Sequence, residues 1–365
     1  MKTIRYFCRS LLTFFIFAIA NASATQFFID PLLGDDQSSG LEGRPWASFA
    51  QAWQVLQPGD TLILADGRYE EALNIPLSGE TGNPLTIKAL HDGAALIATT
   101  GVAAINIWNQ SHLVVEGISA ETTGKAAAIV VGGHDGPDWS DRTSDIRLRR
   151  IGARANNIDD SGEVMLVARA VDVLLEDIWA HGNARSVLRI YGSEDVTVRR
   201  AVVRWDGWRG LNSNPGNTRA AFGVSNTVDS VFENILIFDG AAPGFGEQPE
   251  TSGPLHALQL SGTTPYAYSP FEGSHNNVFH GIILLNNTSL GIQVEGGTQL
   301  ENNRFSHIVS WANGGWGVNV ARKSTATRLD HLTVGDNASG VRFARAWDKV
   351  YQGSLLDSIV QNNDE

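Results

Sequence analysis

A four-residue phrase recurs along this sequence: an apolar residue, any residue, a residue that tolerates a turn, and a second apolar residue. It occurs nine times, and its first positions lie 23 to 47 residues apart. Spacings that are mostly close to 25 residues, with some longer ones, are typical of a solenoid whose loops differ in length. The nine phrases begin at Val115, Leu148, Leu175, Val198, Phe232, Phe279, Phe305, Leu329 and Leu356.

The segments between these phrases predict strands. Alternation is clear in residues 86–90 and 291–295, where every second side chain is apolar and would face one side of a strand. Many short strands, glycine-rich turns and this repeat favour a right-handed parallel β-helix of about ten to twelve coils over a β-sandwich. The helical spacing of residues 46–53, with Ser48 as N-cap, predicts a short helix that covers the first coil.

The third position of the phrase predicts the tight turn between two strands of a coil. Its residues are mostly Gly, Asn, Asp and His, which tolerate a left-handed backbone. His307 and His331 should therefore stack on consecutive coils, and we interpret them as turn residues on a ladder rather than as a metal pair. The nine positions are Gly117, Arg150, Asp177, Arg200, Asn234, Gly281, His307, His331 and Ser358.

The first 24 residues predict a secretory signal. A basic start precedes an apolar run at residues 11–20 and small cleavage-site residues at 22–24. The run is too short to span a bilayer, so we expect a secreted protein, periplasmic or extracellular, with no membrane partner after signal removal. The single cysteine, Cys8, lies within the signal. The mature chain must therefore be stable without disulfides, which requires a large core.

The mature chain is strongly acidic. Without the three basic residues of the signal, 24 basic residues face 39 acidic ones, a net charge of −15. Such a surface repels nucleic acid, which we exclude as a partner, and a polyanionic sugar would need a local basic cleft or a bound cation. We expect a monomer with one domain over residues 25–365: an N-terminal segment at 25–90 and coils at 91–365. A last coil begins at Leu356 with no capping helix after it, so the stack either ends unevenly or is truncated.

One strand of each coil follows the longest loops and carries a polar residue between two inward-facing apolar residues. Because side chains alternate along a strand, this residue points outward. We predict an outward column, with neighbours about 4.8 Å apart, that consists of Arg189, Gly223, Gln259, Gln293, Asn319 and Arg342. The loop tryptophans offer flat surfaces for sugar rings or pack the loops. The predicted substrate-binding residues are Gln259, Gln293, Asn319, Glu295, Trp208 and Trp316.

Several segments carry a family resemblance. Residues 173–178 (Val-Leu-Leu-Glu-Asp-Ile) and 196–201 (Val-Thr-Val-Arg-Arg-Ala) resemble the coil phrase of pectate lyases, whose third position is often an asparagine in a ladder. The N-terminal segment resembles that of secreted β-helix polysaccharide lyases, including the chondroitinase B and alginate lyase family and one pectate lyase family. Its motifs are Phe-Ile-Asp-Pro at 28–31, Gly-Asp-Asp at 34–36, Pro-Trp at 45–46, Pro-Gly-Asp-Thr at 58–61 and Asp-Gly-Arg-Tyr at 66–69. The resemblance covers nearly all of the mature chain and is specific for the fold.

The resemblance implies cleavage of an acidic polysaccharide by β-elimination. The uronate carboxylate must be neutralised by calcium or cationic side chains, a base must remove the proton beside it, and an acid should help the leaving oxygen. In these families the base is a Lys or Arg. The candidates here are Arg189, Lys323, Arg342 and Arg345. Lys323 and Arg345 lie 22 residues apart, close to one coil, although a surface lysine beside a ladder arginine gives the same pattern.

Calcium is an expected cofactor. Asp135, Asp138 and Asp141 lie in one loop, and oxygen-rich loops can bind this cation. A solvated acidic loop is the alternative interpretation.

Two other functions are open. A β-helix glycoside hydrolase would need two carboxylates about 5 to 9.5 Å apart, and Asp206 and Asp239 follow corresponding turns on consecutive coils. Their simpler role is turn formation before Gly207 and Gly240. A non-catalytic glycan-binding or adhesion β-helix would fit the amide-rich column and the lack of a complete catalytic motif. The fold does not decide whether the protein is an enzyme.

Overall fold

The computed structural model describes residues 24–133, 142–157, 162–206, 220–239, 256–262, 271–296, 300–320, 324–343 and 354–364. The predicted signal, apart from Ala24, lies outside these residues. Within them, no helix is both long and apolar enough to cross a bilayer.

The described residues form one short helix and 29 strands. The elements of the first half are β1 (Gln26–Ile29), α1 (Phe49–Trp53), β2 (Thr61–Leu64), β3 (Gly67–Tyr69), β4 (Leu73–Ile75), β5 (Leu85–Ala89), β6 (Ala95–Thr100), β7 (Ile105–Trp108), β8 (Ser111–Glu116), β9 (Ile118–Gly124), β10 (Ile129–Gly132), β11 (Thr143–Asn157), β12 (Glu163–Ala168), β13 (Ala170–Asn183) and β14 (Ser186–Tyr191). Those of the second half are β15 (Glu194–Trp205), β16 (Ala220–Ser225), β17 (Val231–Asp239), β18 (His256–Gly262), β19 (Ser274–His275), β20 (Val278–Leu285), β21 (Ile292–Gly296), β22 (Leu300–Glu301), β23 (Arg304–Trp311), β24 (Trp316–Val320), β25 (Ser324–Thr325), β26 (Arg328–Gly335), β27 (Ser339–Phe343), β28 (Ser354–Leu356) and β29 (Ile359–Gln361).

The strands stack into parallel sheets, which confirms the predicted parallel β-helix. A ten-stranded sheet runs from β4 to β27, a sixteen-stranded sheet runs from β1 to β28 and includes two faces of each coil, and three short strands form a third sheet. Each strand pairs in parallel with the corresponding strand of the next coil. We call one strand level of the ten-stranded sheet a rung. Its ten rungs lie within the predicted number of coils.

The third position of the repeated phrase forms a left-handed turn, as predicted, in eight of the nine phrases. In β11, β13 and β15 the turn residues Arg150, Asp177 and Arg200 have φ values of 52°, 56° and 53°. The ninth prediction, Ser358, is wrong by one residue. The left-handed residue is Asp357, with φ of 43°, because it aligns with His331 of the preceding coil.

Asparagine ladders occur, but not at the third position of the phrase where the resemblance placed them. Asn287, Asn313 and Asn337, which are buried, and the half-buried Asn363 lie on consecutive coils. Each of the first three donates its side-chain amide and its backbone N–H to the Oδ1 of the next one. The ladder therefore satisfies the backbone of a turn that follows the third strand of each coil.

The core runs along the interior of the coils. Alternating burial, as in β5, sends every second side chain inward. On consecutive coils the rings of Phe232, Phe279 and Phe305 stack with centroids 4.8 and 4.5 Å apart. Helix α1 has the predicted N-cap, since Ser48 Oγ accepts from the Gln51 N–H at 3.2 Å.

Candidate functional site

The predicted outward column lies on the outer face of the ten-stranded sheet. Its residues Arg189, Gly223, Gln259, Gln293, Asn319 and Arg342 occupy matching positions on β14, β16, β18, β21, β24 and β27. In the first five of these strands the residues on either side, such as Leu258 and Leu260, fill the core, so the residue between them faces outward. The column crosses six rungs, a length of about 24 Å at the usual strand spacing.

The middle of the column is shielded from solvent, which the sequence did not predict. Gln259, Gln293 and Asn319 are only 7, 5 and 9% exposed although they point away from the core. Buried amides must find hydrogen-bond partners. This part of the outer face is therefore an enclosed polar cluster rather than an open strip.

Glu295, one of the predicted substrate-binding residues, connects these amides. Gln259 Nε2 donates to Glu295 Oε1 at 2.9 Å, and Gln293 Nε2 donates to Glu295 Oε2 at 2.8 Å. Asn319 Nδ2 in turn donates to Gln293 Oε1 at 2.8 Å. We call Gln259, Gln293, Glu295 and Asn319 the amide cluster.

His256 adds a titratable group beside the amide cluster. It lies on the same strand as Gln259, and its Nδ1 is buried without a hydrogen-bond partner. Burial lowers the pKa of His256 from its ordinary value, and the charge of Glu295 acts in the opposite direction. The imidazole is therefore neutral near pH 7.

The two arginines of the column differ in their surroundings. Arg189 Nη1 lies 2.9 Å from Glu163 Oε1, and its guanidinium lies 5.2 Å from the Tyr191 ring centroid. The exposed Arg342 lies over the ring of Trp316 at 5.6 Å. Five rung steps, about 24 Å, separate the two arginines. The structure therefore does not bring Arg189 and Arg342 into one catalytic centre.

Several predicted site residues lie outside the described residues. They are Trp208, Lys323, Arg345, Asp135, Asp138 and Asp141. The described segments contain no group of three or more His, Cys, Asp or Glu side chains that could hold a metal ion. Calcium binding at the three aspartates stays a prediction.

The carboxylates proposed for hydrolysis have structural partners. Asp206 accepts from His181 at 3.0 Å and from Arg204. Burial acts to raise the pKa of Asp206, but the hydrogen bonds from His181 and Arg204 outweigh it, so the pKa is lowered. Asp239 is fully buried and accepts from the Thr288 N–H at 3.3 Å. Asp206 is therefore not arranged as an acid with a raised pKa.

The predicted histidine stack is present. The rings of His307 and His331 are nearly parallel with centroids 4.7 Å apart, and His280 continues the stack at 4.8 Å. The φ values of His307 and His331, 56° and 53°, agree with their interpretation as turn residues.

Glu163 and His256 were missed by the sequence analysis. Glu163 lies three residues before Leu166, and His256 lies three residues before Gln259; Leu166 and Gln259 both occupy the register of the outward column. Trp316 precedes Asn319 by the same number of residues. That offset was visible in the sequence. The interruption of alternation was not: Ala257 and Leu258, which follow His256, are both buried, whereas alternation alone predicts that a residue at an odd spacing faces the core.

Most arginines of the sixteen-stranded sheet serve structure. On consecutive coils, Arg149 pairs with Glu116 at 3.4 Å and with Glu176 at 3.1 Å, and Arg199 pairs with Glu176 at 2.5 Å. This ionic ladder accounts for much of the arginine content without a catalytic role.

The comparisons with known proteins agree with the fold. No family model matches the sequence. An uncharacterized protein, YwoF, from Bacillus subtilis (strain 168) is 25% identical over 95 residues, which cover 24% of this chain and only 20% of that protein. The pectate lyase Pel9A superposes with a TM-score of 0.60 at 13% identity, over 90% of this chain and 81% of that one. The mannuronan C-5 epimerase AlgE4 A-module of Azotobacter vinelandii gives 0.51 at 14% identity, over 76% and 70%. The chain thus shares the parallel β-helix fold of these two proteins.

Proposed function

We propose that the protein is a secreted carbohydrate-active enzyme, a polysaccharide lyase that cleaves an acidic glycan by β-elimination. The observation that carries the proposal is the position of Arg342. Its guanidinium lies over Trp316, has no ion-pair partner among the described residues, and sits one rung from the amide cluster. A cation beside an aromatic face suits a sugar ring that bears a carboxylate. Similar folds bear the names pectate lyase and mannuronan epimerase.

The reaction assigns separate roles to neighbouring residues. Arg342 would pair with the uronate carboxylate and stabilise the charge that develops on it. Lys323, three residues beyond the end of β24, would take the proton from the adjacent carbon. The electron pair of that C–H bond forms a C=C bond as the C–O bond breaks, and the glycosidic oxygen takes a proton from water. Arg345, two residues beyond the end of β27 in the sequence, is the alternative base.

The test is the ultraviolet absorbance of the unsaturated product. The mature protein is incubated with polygalacturonate, alginate, chondroitin and hyaluronan, each with calcium and with a chelator. Lys323→Ala and Arg342→Ala should each lower kcat/KM at least tenfold. The matched controls Lys88→Ala and Arg154→Ala, on the sixteen-stranded sheet, should not. New reducing ends without absorbance would contradict the lyase proposal. Loss of turnover with the chelator would support the predicted calcium site.

A glycan-binding β-helix without catalysis is the second candidate. The observation that favours it is the amide cluster, whose polar groups are fixed by hydrogen bonds, together with the lack of a complete catalytic set among the described residues. Retention of the protein on an immobilised glycan, with no product of either kind, would favour this candidate.

Hydrolysis receives less support from the outer face. The buried Glu163 and the half-buried Glu295 lie on β12 and β21, four rung steps and so at least about 19 Å apart. That separation exceeds the distance that either hydrolytic mechanism needs.

A further inference from the structure

The orientation of every amide in the amide cluster follows from one carboxylate. An ionised carboxylate only accepts hydrogen bonds, so Gln259 and Gln293 must turn their Nε2 groups toward Glu295. Gln293 Oε1 then faces the next rung and must accept, so Asn319 must donate through Nδ2. The three amides have no freedom to flip.

This series of hydrogen bonds ends at an acceptor atom that has no partner. Asn319 Oδ1 is buried, points away from the hydrogen bond to Gln293, and has no partner. A second unpaired buried atom, Nδ1 of His256, lies beside the cluster, and it is an acceptor in the neutral tautomer with hydrogen on Nε2. With His256 in that tautomer, two unsatisfied acceptors lie on the outer face, and they are costly unless a ligand supplies donors.

We propose that His256, Asn319 and the amide cluster form a subsite for an uncharged sugar residue, whose hydroxyl groups donate to His256 Nδ1 and Asn319 Oδ1. A hydroxyl group is both donor and acceptor, so it can satisfy these atoms. A carboxylate cannot, since it offers no hydrogen and would be repelled by Glu295.

The position of Arg342 extends the inference to the substrate. It lies one rung from Asn319, about 4.8 Å away along the column. If the proposed function holds and Arg342 receives a uronate, the neighbouring position along the column takes an uncharged residue. The inference, which rests on that function, is that the glycan alternates uronate and uncharged sugars and is not a homopolymer of uronate.

A binding measurement tests the inference that the glycan alternates uronate and uncharged sugars, and it does not depend on turnover. Affinities are measured by calorimetry for hyaluronan, in which a uronate alternates with an uncharged amino sugar, and for polygalacturonate, in which every residue is charged. Both polymers are prepared at matched length and salt. We expect tighter binding of hyaluronan. Asn319→Leu and His256→Leu should each weaken its binding by about fivefold to tenfold, the equivalent of one lost hydrogen bond. The control is Asn106→Leu. Asn106 occupies the column register on β7, seven rung steps from Asn319.

The outcomes separate the two proposals. Equal or tighter binding of polygalacturonate would overturn the subsite while leaving an acidic-glycan lyase intact, as would unchanged hyaluronan affinity in both variants. Absence of binding to any polymer would overturn both the subsite and the proposal that the outer face binds a glycan. Thermal unfolding verifies that each variant is folded. The comparison of the two polymers uses the unmodified protein, so it tests the subsite even if a variant fails to fold.

Discussion

Arg189 and Glu163 form an ion pair between adjacent rungs of the outer face, with 2.9 Å between Nη1 and Oε1. The Glu163 side chain is only 11% exposed, so water can supply few of its hydrogen bonds. Arg189 is thereby occupied by the protein's own carboxylate. We expect it to stabilise the fold rather than to bind substrate.

The first prediction concerns this pair. Arg189→Met should lower the free energy of unfolding by about 1–3 kcal/mol, because it leaves a mostly buried carboxylate without a donor. Adding Glu163→Gln should restore part of that loss. Urea denaturation of the two single variants and the double variant gives the coupling energy. Additive effects would show that the pair contributes nothing.

The asparagine ladder yields a second prediction. Asn313→Ala should cost about 2–4 kcal/mol, because it removes the acceptor for two donors of Asn287 and one donor to Asn337. The control is Asn234→Gly, at an exposed turn with φ of 56°, where glycine fits the backbone. Urea denaturation measures both. Equal stabilities of the two variants would contradict a structural role for the ladder.

The left-handed turns give a third prediction. Gly281 has φ of 65°, and a Cβ atom there would lie 2.7 Å from Asn234 Oδ1 on the preceding coil. Gly281→Ala should therefore cost about 1–2 kcal/mol. Gly223→Ala is the matched control, since its Cβ would meet Arg189 and Ser186 atoms only at 4.0 Å. We expect its melting temperature to be unchanged, whereas that of Gly281→Ala falls.

His256 gives a fourth prediction, on pH dependence. Burial lowers its pKa in the folded state, against the charge of Glu295, so the unfolded chain binds the proton first as pH falls. The free energy of unfolding should therefore decrease as pH drops below about 6.5, until the lowered pKa is passed. His256→Asn should remove this part of the slope in urea denaturation between about pH 7.5 and about pH 5. His331→Asn, at an exposed turn, is the matched control, and an equal slope in both variants would contradict the assignment.

The fold was predictable because its periodicity is local. A short phrase with a turn residue at a fixed place is enough to set the coil, and the alternation in residues 291–295 is enough to place Gln293 outward between two core residues. The register error at Ser358 arose where two adjacent residues, Asp357 and Ser358, are both compatible with a turn. Pairing with the preceding coil decides between them.

The site was only partly predictable because it depends on contacts between rungs. The sequence placed Gln259, Gln293 and Asn319 in one column but did not show that Glu295 would orient their amides. It also grouped Arg189 with Arg342 by residue type, although the predicted column itself places the two arginines five rungs apart. His256 was missed because its burial is a property of the assembled outer face.

The alternating acids and bases along the sixteen-stranded sheet have a consequence for assembly of the coils. Glu116, Arg149, Glu176, Arg199 and Glu233 follow one another in register. If one coil were skipped during folding, the next would bring carboxylate against carboxylate or guanidinium against guanidinium, at a separation where like charges repel. The same charges that join correct neighbours thus penalise a miscounted turn, which hydrophobic contacts between nearly equivalent coils could not detect.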